Sequence, residues 1–185
     1  MFIQTETTPN PASLKFLPGR VVMESGTADF RNVEEAKNSI LAQNLFKIEE
    51  VEGVFFGSDF ISITKNESVN WQVLKPSILG VIANHFESGA PLINKEESSE
   101  NKTTSTKDSE IVVQIKELLD TRVRPAVAMD GGDITFSDYK DGTVYLQMQG
   151  ACSGCPSSTA TLKAGIENML KHYLPEIKEV QAVMD

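Results

Sequence analysis

The sequence predicts an α+β chain of two small domains, in the order ββαββα and then αββαβ, and three observations carry that prediction. From Ser88 to Ser109 the chain reads SGAPLINKEESSENKTTSTKDS, with almost no apolar residue after Ile93. Such a stretch cannot bury enough surface to offset its ordering entropy, so it reads as a tether between two domains. On each side of it, short runs rich in β-branched and aromatic residues bracket a turn pair, Gly57-Ser58 in one half and Asp141-Gly142 in the other. Asp-Gly between such runs is a strong hairpin signal. Each half also carries apolar stripes at helical spacing. The resulting boundaries are a first domain at 1–90, a linker at 91–108 and a second domain at 109–185. The most polar part of the linker, about 14 residues, spans about 20 Å r.m.s. as a flexible chain.

In the first half, Leu14 to Val22 reads as two short strands meeting at the turn pair Pro18-Gly19. Val33, Ala36, Ile40 and Leu41 recur at helical spacing, so a helix is expected between Val33 and Leu45. Val51 to Phe56 and Asp59 to Thr64 are the next two strands. Pro76 suits the first turn of a closing helix that carries Leu79, Ile82 and Phe86 inward.

In the second half, Ile111, Ile115, Leu118 and Leu119 form a helical stripe, and Arg124-Pro125 marks its kink or end. MDGGD at 129–133 reads as a turn, followed by strands at Ile134 to Tyr139 and Thr143 to Gln149. A second helix starts at Pro156, where Ser157, Ser158 and Thr159 offer side-chain oxygens to its unpaired N–H groups. Its buried face is Leu162, Ile166, Met169 and Leu170, and Pro175 stops it before a last strand from Ile177 to Val183.

Composition removes several classes of function. Forty per cent hydrophobic residues suffice for ordinary packed cores. Seventeen Lys and Arg against 26 Asp and Glu give a net charge of −9, and no basic run could neutralise a row of phosphates, so nucleic acid is not an expected partner. No apolar stretch approaches the roughly 18 residues of a membrane span. MFIQTETTPN lacks both a secretory signal and the Arg-rich character of a transit peptide, which places the chain in a cytoplasm, or in a mitochondrial matrix if a leader has been removed. Thiols are reduced there, so two close cysteines point to metal binding or redox chemistry rather than a staple.

Both cysteines, Cys152 and Cys155, lie in GACSGCPSST between a strand end and a helix start. The positive end of a helix favours a thiolate, and Gly150 and Gly154 let backbone amides approach sulfur, so the pair is read as a reactive one at an exposed loop tip. Disulfide exchange remains open on placement alone. Against it, Ala151 precedes the pair where such redox sites carry an aromatic, and the proline, Pro156, lies outside the pair. A metal or cluster ordinarily takes four ligands, and His172 and His85 are too remote to join. A second copy of the chain completes four thiolates most simply.

MDGGDITF, the run VYLQMQGACSGCPSSTATLKAGIENML and the last strand together resemble the C-terminal domain of NifU-type proteins. TPNPASLKFLPG near the start resembles the N-terminal domain of the Nfu family, so the resemblance covers nearly the whole chain outside the linker. It implies a scaffold or carrier, not an enzyme, that holds a 4Fe-4S cluster between two subunits of a homodimer through Cys152 and Cys155. Upstream assembly proteins would supply the cluster and apo iron–sulfur proteins would accept it. The larger NifU proteins carry further cysteine-bearing domains that this chain lacks, which favours carriage over assembly.

The remaining candidates have plainer readings. Asp130 and Asp133 shape a turn with Gly131-Gly132; His172 complements a helix C-terminus; Trp71 and the phenylalanines of the first half are core. The rival functions are a dithiol oxidoreductase, a zinc-bridged structural dimer and an interaction module with incidental cysteines.

Overall fold

The computed structural model describes residues 1–94, 110–153 and 156–183, except for the side chains of 156–159. The chain divides into two compact units, Met1–Glu100 and Asn101–Asp185, and is α+β in each. The expected linker, 91–108, falls outside the described residues from 95 onward. Ahead of it Leu92 packs against the first core and the Asn94 N–H donates to the Asn38 carbonyl at 2.7 Å, so the described part of unit one runs to Asn94.

Unit one is an antiparallel five-stranded sheet with two helices. Its strands are β1 (Gln4–Thr7), β2 (Ser13–Leu17), β3 (Ala28–Phe30), β4 (Val51–Phe56) and β5 (Ile61–Lys65), in the spatial order β1-β2-β5-β4-β3. The helices are α1 (Ile40–Phe46) and α2 (Trp71–Ser88). Phe16, Ile61, Ile63, Val54 and Phe56 from the sheet meet Leu41, Leu45, Leu74, Ile78 and Ile82 from the helices in one core.

Four expectations change here. The run from Leu14 to Val22 is not two strands: β2 ends at Leu17 and Gly19 turns the chain away at φ 73°. The edges of β2 are already taken by β1 and β5, so a returning strand has nothing to pair with. The helix expected from Val33 divides into a 3₁₀ turn (Glu35–Asn38) and α1, leaving Val33 exposed. Ser39 breaks it, extended at φ −130°, with its Oγ accepting the Ala42 N–H at 3.2 Å as the cap of α1. The strand start expected at Asp59 moves to Ile61. Pro76 is the sixth residue of α2 rather than in its first turn, because the extended Asn70 starts the helix earlier and burial of Leu74 holds that turn.

Unit two opens with a helix broken in its middle: α3 (Glu110–Leu118), a π turn (Leu119–Val123) and α4 (Arg124–Met129). The buried residues Ile115, Leu119, Val123 and Val127 are spaced by four. That stripe drifts around a 3.6-residue helix, and the wider π turn absorbs the drift just before Pro125. Three strands follow, β6 (Gly132–Lys140), β7 (Thr143–Gly150) and β8 (Glu179–Val183), with α5 (Pro156–Tyr173) between the last two. β6 and β7 form an antiparallel hairpin; β8 lies parallel to β7, which requires the crossover that α5 provides. Among the described side chains of α5, Ile166 and Leu170 are buried, flanked by the partly buried Leu162 and Met169 as expected. Glu167 ties α5 to β8: its carboxylate accepts from Lys171 Nζ at 2.6 Å and from the Val180 N–H at 3.2 Å, and these hydrogen bonds, that of Lys171 foremost, lower its pKa.

Candidate functional site

The cysteine loop leaves the end of β7 through Gly150, whose φ of 65° is left-handed and suits glycine. Two backbone bonds then fold the loop down. The Ala151 N–H donates to the Gly131 carbonyl at 3.2 Å, and the Ser153 N–H to the Gly150 carbonyl at 3.1 Å. The next described residue is Pro156, the first of α5, so Cys152 stands four residues ahead of a helix start as expected. Cys155 lies outside the described residues.

The expected exposed loop tip is corrected for Cys152, which is only 7% exposed and belongs to the core of unit two. Its neighbour is the start of β6. A Cβ built on Gly132 would stand 2.6 Å from the Cys152 Sγ, 3.1 Å from its N and 2.7 Å from the Gln149 carbonyl oxygen. Only a hydrogen fits there, so Gly132 is the wall of a seat for the sulfur. The physical reason for the burial is the pairing of Gly132 with Gly150, which brings the loop across the strand start instead of out into solvent.

Asp133 corrects a second expectation. The turn is Asp130-Gly131 alone, with Gly131 at φ 80°, while Gly132 and Asp133 are already strand. Asp133, 3% exposed, takes a two-pronged ion pair from Arg124: Nε donates to Oδ1 and Nη2 to Oδ2, both at 2.9 Å. Its Oδ1 also accepts the Ile134 N–H at 2.8 Å. Arg124 Nη1 reaches the exposed Asp120 at 3.1 Å, and its pKa is raised, chiefly by the hydrogen bond to Asp133. Sequence reasoning missed this pair. The available signal was an Asp at the head of an apolar strand, a carboxylate that must find a cation if buried, with Arg124 nine residues upstream.

The other candidates lie elsewhere. His85 is buried on the core side of α2 in unit one, and His172 is exposed near the end of α5, its ring edge against Tyr173. Trp71 packs partly buried on the first core, its indole N–H donating to the Pro11 carbonyl at 3.1 Å. That bond fixes the TPNPAS loop between β1 and β2. Among the described residues no three His, Cys, Asp or Glu side chains cluster to hold a metal ion. No described helix is long and apolar enough to cross a membrane.

Both units of the chain are similar to known protein families. Residues 3–89 match the family described as "Scaffold protein Nfu/NifU N terminal", and residues 115–181 match "NifU-like domain". NifU-like protein 4, mitochondrial, of Arabidopsis thaliana is 53% identical, over 100% of this chain and 67% of its own length. NFU1 iron-sulfur cluster scaffold homolog, mitochondrial, of Homo sapiens is 53% identical over 100% of this chain and 73% of its own. The solution structure of a NifU-like protein from Saccharomyces cerevisiae is 33% identical, covering 52% of this chain and 87% of that one with a TM-score of 0.47. With both domain families matched in order and relatives more than half identical along its entire length, the chain belongs to the Nfu family of NifU-like proteins.

Proposed function

We propose that this chain is an iron–sulfur cluster carrier, not an enzyme, that binds a 4Fe-4S cluster between two copies and passes it to apo-proteins. The observation that carries the reading is the placement of both cysteines within the matched NifU-like segment, in a chain akin end to end to a protein named as an iron-sulfur cluster scaffold. The donor set supports it: thiolates are the ligands of such clusters, and the two cysteines are the only ones in the sequence. Two copies contribute Cys152 and Cys155 each, making four. A cluster held by one pair from each subunit can be released by either. An acceptor with three or four preorganised cysteines then takes it by thiolate exchange, one ligand entering as another leaves. Upstream assembly proteins supply the cluster, and the compartment is a bacterial cytoplasm or a mitochondrial matrix, the relatives being named as mitochondrial.

The test is anaerobic reconstitution with iron and sulfide, followed by mixing with an apo-enzyme that needs a 4Fe-4S cluster. A brown dimer should form and restore that enzyme's activity faster than free ions at matched concentration, in the presence of a chelator. Colourless protein that takes zinc instead, or transfer that the chelator stops, would overturn the reading.

A further inference from the structure

We propose that Arg124 is a positioning residue for Cys152: through Asp133 it fixes Gly132 as the wall of a seat that holds the thiol buried until cargo draws it out. This rests on the proposed role of Cys152 as a cluster ligand. Cys152 as a residue is only 7% exposed, and its sulfur has backbone against it, so it is not placed to meet iron shared with a second chain and ligation requires it to leave the seat. What keeps the seat shut is the start of β6. Asp133 follows Gly132 directly, and its carboxylate is locked by two Arg124 bonds of 2.9 Å from α4 and by the Ile134 N–H at 2.8 Å. On the other side, the Gly131 carbonyl holds Ala151, the residue before Cys152, at 3.2 Å. Arg124, Asp133, Gly132 and Cys152 thus form one chain of contacts from the helix break to the thiol.

The seat and the cargo compete for one sulfur. Affinity is reduced by the fraction of molecules in which the thiol is out, once for each chain that donates. The device therefore weakens cargo binding and assists hand-over.

Lysine keeps the charge of Arg124 but not the planar fork, so Arg124→Lys loosens the seat without leaving Asp133 unpaired. In a Cys155→Ser background, the rate of Cys152 alkylation by iodoacetamide, without cargo, reads the open fraction alone. Arg124→Lys should raise that rate about tenfold, the size of one charge-assisted hydrogen bond lost at a buried carboxylate. With the native cysteine pair, the reconstituted Arg124→Lys protein should resist stripping by a chelator at concentrations that empty the native one. Asp120→Asn, which removes only the exposed partner, should change neither. Circular dichroism checks folding, and Asp133→Asn replaces Arg124→Lys should that variant not fold. An unchanged alkylation rate, an equal response to Asp120→Asn, or a variant that loses cargo as readily as the native protein would each overturn the proposal. If the native chain takes up no iron–sulfur cargo, the proposed function fails, while the alkylation measurement still decides whether the seat exists.

Discussion

Gly132 and Cys152 touch across the base of the cysteine loop so closely that a methyl group on the glycine would stand 2.6 Å from the sulfur. The same methyl would meet the Gln149 carbonyl oxygen at 2.7 Å, and backbone cannot swing aside as a side-chain tip can. Gly132→Ala is therefore expected to destabilise unit two by about 1–3 kcal/mol, the usual cost of overpacking. Urea unfolding followed separately for the two units checks it. The transition of unit one should not move, and adding Cys152→Ala should recover only part of the loss because the Gln149 contact remains.

Cluster loading and dimerisation should be inseparable if two chains donate two thiolates each. Replacing either Cys152 or Cys155 by Ala is expected to abolish both together, read by visible absorbance and by analytical ultracentrifugation of the same sample. A native monomer that carries a cluster would refute the shared site.

His85 predicts a pH dependence in unit one. It is 5% exposed, its Nε2 has no hydrogen-bond partner, and burial lowers its pKa below 6.5 against an opposing backbone bond at Ala90. The folded state thus takes up the proton less readily than the unfolded chain. The contribution of His85 is constant above pH 6.5 and is lost as pH falls from there towards the lowered pKa, because the unfolded state gains the proton first. The difference in stability between native protein and His85→Phe, measured by denaturant at a series of pH values, should be flat above 6.5 and shift in favour of the variant below it.

Ser39→Ala should cost about 1 kcal/mol in unit one, the typical value of an N-cap. Ser39 is fully buried and its Oγ satisfies the Ala42 N–H at the start of α1. Ser39→Asp restores an acceptor but places a charge in the core, so it should not recover the loss.

Expressed alone, residues 1–94 and 110–185 should each unfold cooperatively, since each holds its own core. Only the second should take up iron. Loss of structure in either piece, followed by circular dichroism, would contradict the division.

The sequence alone determined what depends on local chemistry. Asp141-Gly142 forced the β6–β7 hairpin, because φ of 51° and 84° there suits those residues and few others. The apolar spacing of α5 selected Ile166 and Leu170 for the core, and Cys152 follows closely on the end of β7 as its sequence neighbours required. Tertiary structure decided whatever needs a partner distant in sequence. β1, QTET, is too polar to read as a strand and becomes one only as an edge on β2; β3, three residues long, exists because β4 had an open edge to pair. Arg124 could not be matched to Asp133 before the helix and the strand were packed. The burial of Cys152 followed from a second glycine twenty residues upstream, since a loop that looks exposed from its own residues is covered or open according to what lies beneath it.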